Sequence, residues 1–112
     1  MSNSKKDRVM RIYKRFFIML KEGTKTIEIR VAYPGMKKIK AGVVIRFNND
    51  YSCRMLVIRV AKYENFDDMF QNEDAGKINP YQSVKEQLRE IRQIFPTNKE
   101  KIGVIAFEMK KI

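Results

Sequence analysis

Between Gly23 and Arg30 the chain reads Gly-Thr-Lys-Thr-Ile-Glu-Ile-Arg, which places an ammonium, a carboxylate and a guanidinium within six residues. Three charged groups of mixed sign at this spacing suit a small range of chemistry. Arg30 offers a planar fork to a phosphate or a base edge. Lys25 adds a point charge beside it. Glu28 can accept from an exocyclic amino group or a 2′-hydroxyl. Together they fit a polar heterocycle next to a phosphate. The same set also allows metal-independent hydrolysis, with Glu28 as base, Lys25 as acid and Arg30 holding the charge of a phosphorane. A plainer role stands beside both. Glu28 and Arg30 are two apart on one strand face, and an exposed pair there stabilises by only about 0–1 kcal/mol.

Absent residues narrow the chemistry further. There is no histidine, which excludes Ser-His-Asp and Cys-His machinery and His-ligated zinc. Cys53 is the single cysteine, so neither an internal disulfide nor a thiolate metal cluster is available. Neither a Gly-x-Gly-x-x-Gly nor a Walker-type phosphate loop occurs. The expectation is a site without metal or cofactor. The formal net charge of +11 on 112 residues favours a polyanionic partner, above all RNA or a nucleotide-like ligand. The longest apolar run near the start, Phe16 to Leu20, is far short of the ~20 residues that span a bilayer. With no signal-peptide pattern, the expected location is cytoplasmic and off the membrane.

The elements that must position these residues follow from periodicity. Residues 1–8 read as a flexible basic segment, in which Lys5, Lys6 and Arg8, continued by Arg11, form an arm suited to phosphates. Val9 to Tyr13 alternates as a short strand. Lys14 to Lys21 reads as a helix with Phe16, Phe17 and Leu20 as its core stripe, stopped by Gly23. Thr24 to Val31 is a strand with Ile27 and Ile29 on one side and Thr26, Glu28 and Arg30 on the other. Ala32 to Gly35 is a turn, followed by a basic loop whose Lys37, Lys38 and Lys40 are candidate phosphate contacts.

Ala41 to Phe47 and Tyr51 to Ala61 form a hairpin about Asn48-Asn49-Asp50. Its arginines Arg46 and Arg54 are further candidate RNA contacts, and strand period puts Arg59 on the face of Cys53, Met55 and Val57. Asn65 caps a short helix carrying Phe66, Met69 and Phe70, and residues 72–80 read as a polar loop. Ser83-Val84-Lys85-Glu86 is a capping box opening a helix whose stripe is Val84, Leu88, Ile91 and Phe95. Pro96 stops it, and Lys85, Arg89 and Arg92, mixed with Glu86 and Glu90, read as its solvated face. Thr97 to Lys101 is a basic turn and Ile102 to Lys110 a last strand. Tyr33, Tyr51 and Tyr63 are candidates to stack a base.

The spacing Gly23-x-Lys25-x-x-Glu28-x-Arg30 resembles the signature of the ASCH domain, a small β-barrel of the PUA-like group. The helix closing in Phe95-Pro96 and the final long strand resemble it too, while Gly42-Val43 lacks the acidic residue usual before the third strand. The resemblance covers 9–112 and implies an α+β fold: a small PUA-like mixed β-barrel with about three helices packed around it. It implies a cleft at the signature strand, with Gly23, Lys25, Glu28 and Arg30 as ligand-binding residues and Lys25 and Glu28 as the candidate catalytic pair. The first functional reading is binding of RNA or a modified nucleoside. The second is a small hydrolase at the same cleft, either a ribonuclease or an acylated-nucleoside amidohydrolase. ASCH-like amidohydrolases use a Lys-x-x-Thr segment and a later acid. Here Lys25 matches, but position 28 is Glu, and the later position falls near Asn79-Pro80, with Glu73 and Asp74 the nearest carboxylates. The third is a protein-interaction module.

Overall fold

Residues 104–107 are apolar on both faces of an extended segment, so the strand they form must be covered on both sides. The computed structural model, which describes residues 6–112, does this with a five-stranded mixed sheet between two layers. The elements in chain order are β1 (Arg8–Met10), α1 (Lys14–Glu22), β2 (Ile27–Val31), α2 (Pro34–Lys37), β3 (Val44–Phe47), β4 (Arg54–Tyr63), α3 (Phe66–Asn72), α4 (Ala75–Ile78), α5 (Val84–Ile94), α6 (Thr97–Glu100) and β5 (Val104–Lys111). The strand order is β1-β3-β4-β5-β2, with β1 parallel to β3 and every other pair antiparallel.

Two cores result. Ile105, Phe107 and Met109 join Met10, Leu20, Ile45, Phe47, Met55 and Val57 on one face. Val104 and Ala106 join Ile27, Ile29 and Val31, under Phe66, Met69 and Phe70 of α3, Ile78 of α4 and Ile91 of α5, on the other. The fold is therefore α+β, as expected. The hydrogen-bonded sheet is not closed into a full barrel, since β1 and β2 are its edges. Among the described residues no helix is long and apolar enough to cross a membrane.

Three segments read as loops or turns contain single helical turns. Pro34 stands at the start of α2, where a missing N–H costs nothing. The Asp74 side chain accepts from Gly76 N at 2.9 Å and starts α4. α6 follows Pro96. Four residues are too few to show a helical period. The capping box at Ser83 and Glu86 and the Asn65 cap form as the sequence predicts. Of the segment expected to be flexible, residues 1–5 lie outside the described residues. Arg8 opens β1, and Asp7 pairs with Arg54 at 2.7 Å.

The expected face of Arg59 is corrected by a bulge. Val57 pairs Met109 while Arg59 pairs Glu108, so Ile58 is an extra residue and everything after it changes side. Val60, not Arg59, then packs on the first core. Arg59 emerges on the opposite face and clamps the end of α3. It donates to Glu73 Oε1 at 2.5 Å and Oε2 at 3.0 Å and to Glu108 Oε1 at 2.7 Å, and the Tyr63 hydroxyl also donates to Glu73. The Arg59 guanidinium, helped by Tyr63, holds the Glu73 carboxyl below the usual carboxylate range despite its burial.

Gly23 ends α1 in the left-handed region, at φ 84°, and lets Thr24 N and Lys25 N both reach back to Met19 O. Replacing Gly23 with Ala should lower stability by about 1 kcal/mol through the backbone alone, since nothing crowds the added Cβ. Gly23→Asn should recover part of that loss in urea denaturation. Equal stability of all three proteins would contradict the strain argument.

The Glu73 clamp predicts a pH dependence. Because the folded pKa lies below the unfolded one, its contribution is complete above the unfolded value of about 4.3 and is lost as pH falls through the lower folded value. Glu73→Gln should lose about 1–3 kcal/mol at pH 7 and show a shallower acid limb than wild type. An unchanged acid limb would remove Glu73 from this role.

Candidate functional site

The register of β2 decides where its charged side chains go. Glu28 pairs with Phe107 and Arg30 with Ile105, and directly paired residues share a face. The polar side of the strand therefore faces inward, beside the first core, rather than forming an exposed strand-surface pair. Lys25 is 2% exposed and Glu28 5%.

Lys25 sits on the connection that Gly23 turns. Its Nζ donates to Ile27 O at 2.8 Å and Ile78 O at 3.1 Å and lies 3.1 Å from Glu28 Oε1. Two of the three N–H donors of the ammonium therefore meet carbonyls, and its charge is paired with Glu28. Ile78 O belongs to the last turn of α4, and Thr26 N takes the neighbouring Lys77 O at 2.9 Å. The orphan carbonyls at the end of α4 are thus met by the start of β2. Burial pushes the Lys25 pKa down, and Glu28 opposes that. Burial also pushes the Glu28 carboxyl up, but Lys25 and Arg30 together outweigh it and the net shift is downward.

Arg30 completes the chain of charges. Its Nε donates to Glu28 Oε2 at 2.6 Å, and its Nη2 donates to Arg11 O at 2.6 Å, just past β1. One side chain therefore ties the two sheet edges together. Of the five guanidinium N–H donors, these two are engaged among the described residues.

Along this unclosed edge lies a cleft of about 630 Å³, within the size range of small-ligand sites. Ile12, Phe16, Ile91, Ile94 and Phe95 give it apolar walls. Lys25, Glu28, Arg30, Asn79 and Gln87 supply polar groups. Arg11, Tyr13, Lys14 and Glu90 also line it, so four cations face two carboxylates.

The other predicted residues lie elsewhere. Gly23 shapes the backbone before the site but does not line it. Lys37, Lys38 and Lys40 are exposed at and after α2, away from the cleft lining. Arg46 stacks on Tyr51, 4.1 Å from its ring centroid, and donates to Asn49 Oδ1 at 2.7 Å. Arg54 is held by Asp7. Arg46 and Arg54 belong to a second cluster rather than to the cleft. Of the basic arm, Arg11 reaches the cleft, Arg8 donates to Gly35 O at 2.8 Å, and Lys5 lies outside the described residues. Tyr33 packs on Phe95, and Tyr63 serves the Glu73 clamp. The aromatic groups that line the cleft are Tyr13, Phe16 and Phe95.

Sequence reasoning missed Gln87. It falls three after Val84 and four before Ile91, a polar residue on the apolar stripe of α5, and that misfit was a readable signal. The stripe is rotated from its expected position, with Gln87 5% and Val84 41% exposed. Glu90, read as solvated, lines the cleft and pairs with Arg15 at 2.7 Å. Of the residues weighed for an amidohydrolase, Lys25 stands in the cleft, whereas Glu73 is held by Arg59 and Asn79 is an amide.

Solved structures share this architecture. The crystal structure of the hypothetical protein PH0355 is 27% identical, with 96% of this chain and 100% of that one covered, at a TM-score of 0.88. The solution NMR structure of PF0455 from Pyrococcus furiosus is 27% identical over 96% and 98% of the two chains, at 0.79. The crystal structure of a mutant ZmASCH protein from Zymomonas mobilis is 14% identical over 96% and 76%, at 0.65, a likeness of fold alone. No curated protein matches the chain. The ASCH domain model matches residues 10–112, essentially the whole chain, and the chain therefore belongs to the ASCH domain family.

Proposed function

We propose that the cleft binds RNA through a single unstacked base or nucleotide. The observation that carries this reading is the state of Arg30. Its guanidinium is fixed by Glu28 and Arg11 O, yet keeps N–H donors in hand inside a cleft with apolar walls. A planar cation so placed suits a base edge or a phosphate, while Phe16 and Phe95 offer faces to a heterocycle. Arg11 and Lys14 extend the positive field outward along a backbone.

The commitments of Lys25 and Glu28 support binding over hydrolysis. Lys25 donates to two carbonyls and is ion-paired with Glu28, whose two oxygens face Lys25 and Arg30. Groups held in this way fix a neighbour's orientation more readily than they exchange protons.

Labelled single-stranded RNA should bind, with affinity falling steeply as salt rises. Lys14→Ala should weaken binding modestly and reduce the salt slope by about 1, as for one lost phosphate contact. Arg30→Gln should weaken binding by about 1.5–3 kcal/mol, as for lost charge-assisted hydrogen bonds, after correction for any loss of fold seen by circular dichroism. The RNA should remain intact on a denaturing gel. Absence of binding at 50 mM salt would overturn the reading. Cleavage abolished by Lys25→Met would move it to hydrolysis, and binding indifferent to Arg30 would place the ligand on another surface.

A further inference from the structure

Gln87 is the residue whose hydrogen bonding is incomplete in an informative way. It is buried and lines the cleft from α5. Its Nε2 is surrounded by three backbone carbonyls: Ala75 O at 3.0 Å, Asn79 O at 3.0 Å and Gln82 O at 3.2 Å. Its Oε1 is buried and has no partner among the described residues.

The amide orientation is fixed by chemistry. Turning the group over would set Oε1 against three carbonyl oxygens and take away the donor that Asn79 O and Gln82 O receive, Ala75 O keeping the N–H of Asn79. The acceptor therefore stays where it is. A buried acceptor without a partner is costly, and a native structure that keeps one calls for a reason. The neighbouring amide of Asn79 does not supply the missing donor: its Nδ2 donates to Gln82 Oε1, and none of its N–H groups reaches Gln87 Oε1. Lys25 and Arg30, directed to their own partners, do not donate to it either.

We infer that Gln87 Oε1 is a specificity-determining acceptor that receives an N–H from the bound base, so that the cleft selects a nucleobase carrying an exocyclic amino group. This rests on the nucleotide-binding reading above and names the substrate class within it. The rest of the cleft fits that choice. Arg30 contributes donors, and a rigid acceptor at Gln87 adds the complementary half of a donor–acceptor pattern, which an amino-bearing base edge offers in one plane. The holding groups are all main-chain carbonyls of the segment from α4 to α5, so the acceptor is set by the fold. A site built to accept from a ligand N–H discriminates strongly against a ligand lacking it, because its own acceptor is then left unpaired.

The decisive comparison uses the wild-type protein and two pairs of ribonucleosides differing only in the amino group: adenosine against purine riboside, and cytidine against its 4-deamino analogue. Titration calorimetry should show at least one amino-bearing member binding about tenfold or more tightly than its partner. Gln87→Leu, checked for fold by circular dichroism, should bring the two members of that pair to within about twofold. If the variant fails to fold, the wild-type comparison decides alone. Equal affinities within both pairs would overturn the role of Gln87 and leave nucleotide binding standing. Failure of every nucleoside, together with no RNA binding, would overturn both.

Discussion

Lys25, Glu28 and Arg30 form an alternating series of charges, cation–anion–cation, drawn into the protein at the edge of the sheet. Taking ions out of water costs several kcal/mol each, and their mutual attraction repays that only when geometry and hydrogen bonding are complete. Here both carboxylate oxygens are met by cations. The surplus positive charge is spread over the carbonyls of Ile27, Ile78 and Arg11. Those carbonyls come from three places: β2 itself, the end of α4 and the segment after β1. The series is therefore a junction, and removing any member leaves a buried charge or buried carbonyls without partners.

The junction also explains why a cleft exists. Hydrogen bonds between β1 and β2 would close the sheet, but at that place the connection is made by the Arg30 side chain. A side-chain bridge is wider than a backbone ladder, and the space beside it is bounded by α1 and α5. The apolar cover comes from Phe16, Ile91, Ile94 and Phe95. The sheet itself is secured by ordinary means, with apolar side chains on both faces of β5 and the Arg59–Glu73 clamp holding α3.

Local signals carried much of this architecture. The Ser83 capping box, the Asn65 cap, the Gly23 stop and the alternation of β5 each act over a few residues and are visible in the chain. What failed was long-range. The sense of Arg59 depends on a bulge one residue long, which periodicity passes over. The inward face of Glu28 depends on pairing with Phe107, seventy-nine positions later. The Lys25–Glu28–Arg30 set was legible as a constellation, but its burial was not, because polar alternation reads the same on either face of a sheet. Lys37, Lys38 and Lys40 drew attention through charge alone, and charge says nothing of which surface it lies on. Gln87 was overlooked because the stripe of α5 was assigned from its apolar members.

The most direct test of this account is a double-mutant cycle on the junction, read by urea denaturation of Lys25→Met, Glu28→Gln and the double variant. Each single change should cost about 3–5 kcal/mol, because it leaves a buried charge poorly paired. The double variant should cost well short of the sum, with a coupling of about 2 kcal/mol or more. Losses that add to within about 0.5 kcal/mol would show that Lys25 and Glu28 act independently, and the buried series could not then be the constraint on which the cleft depends.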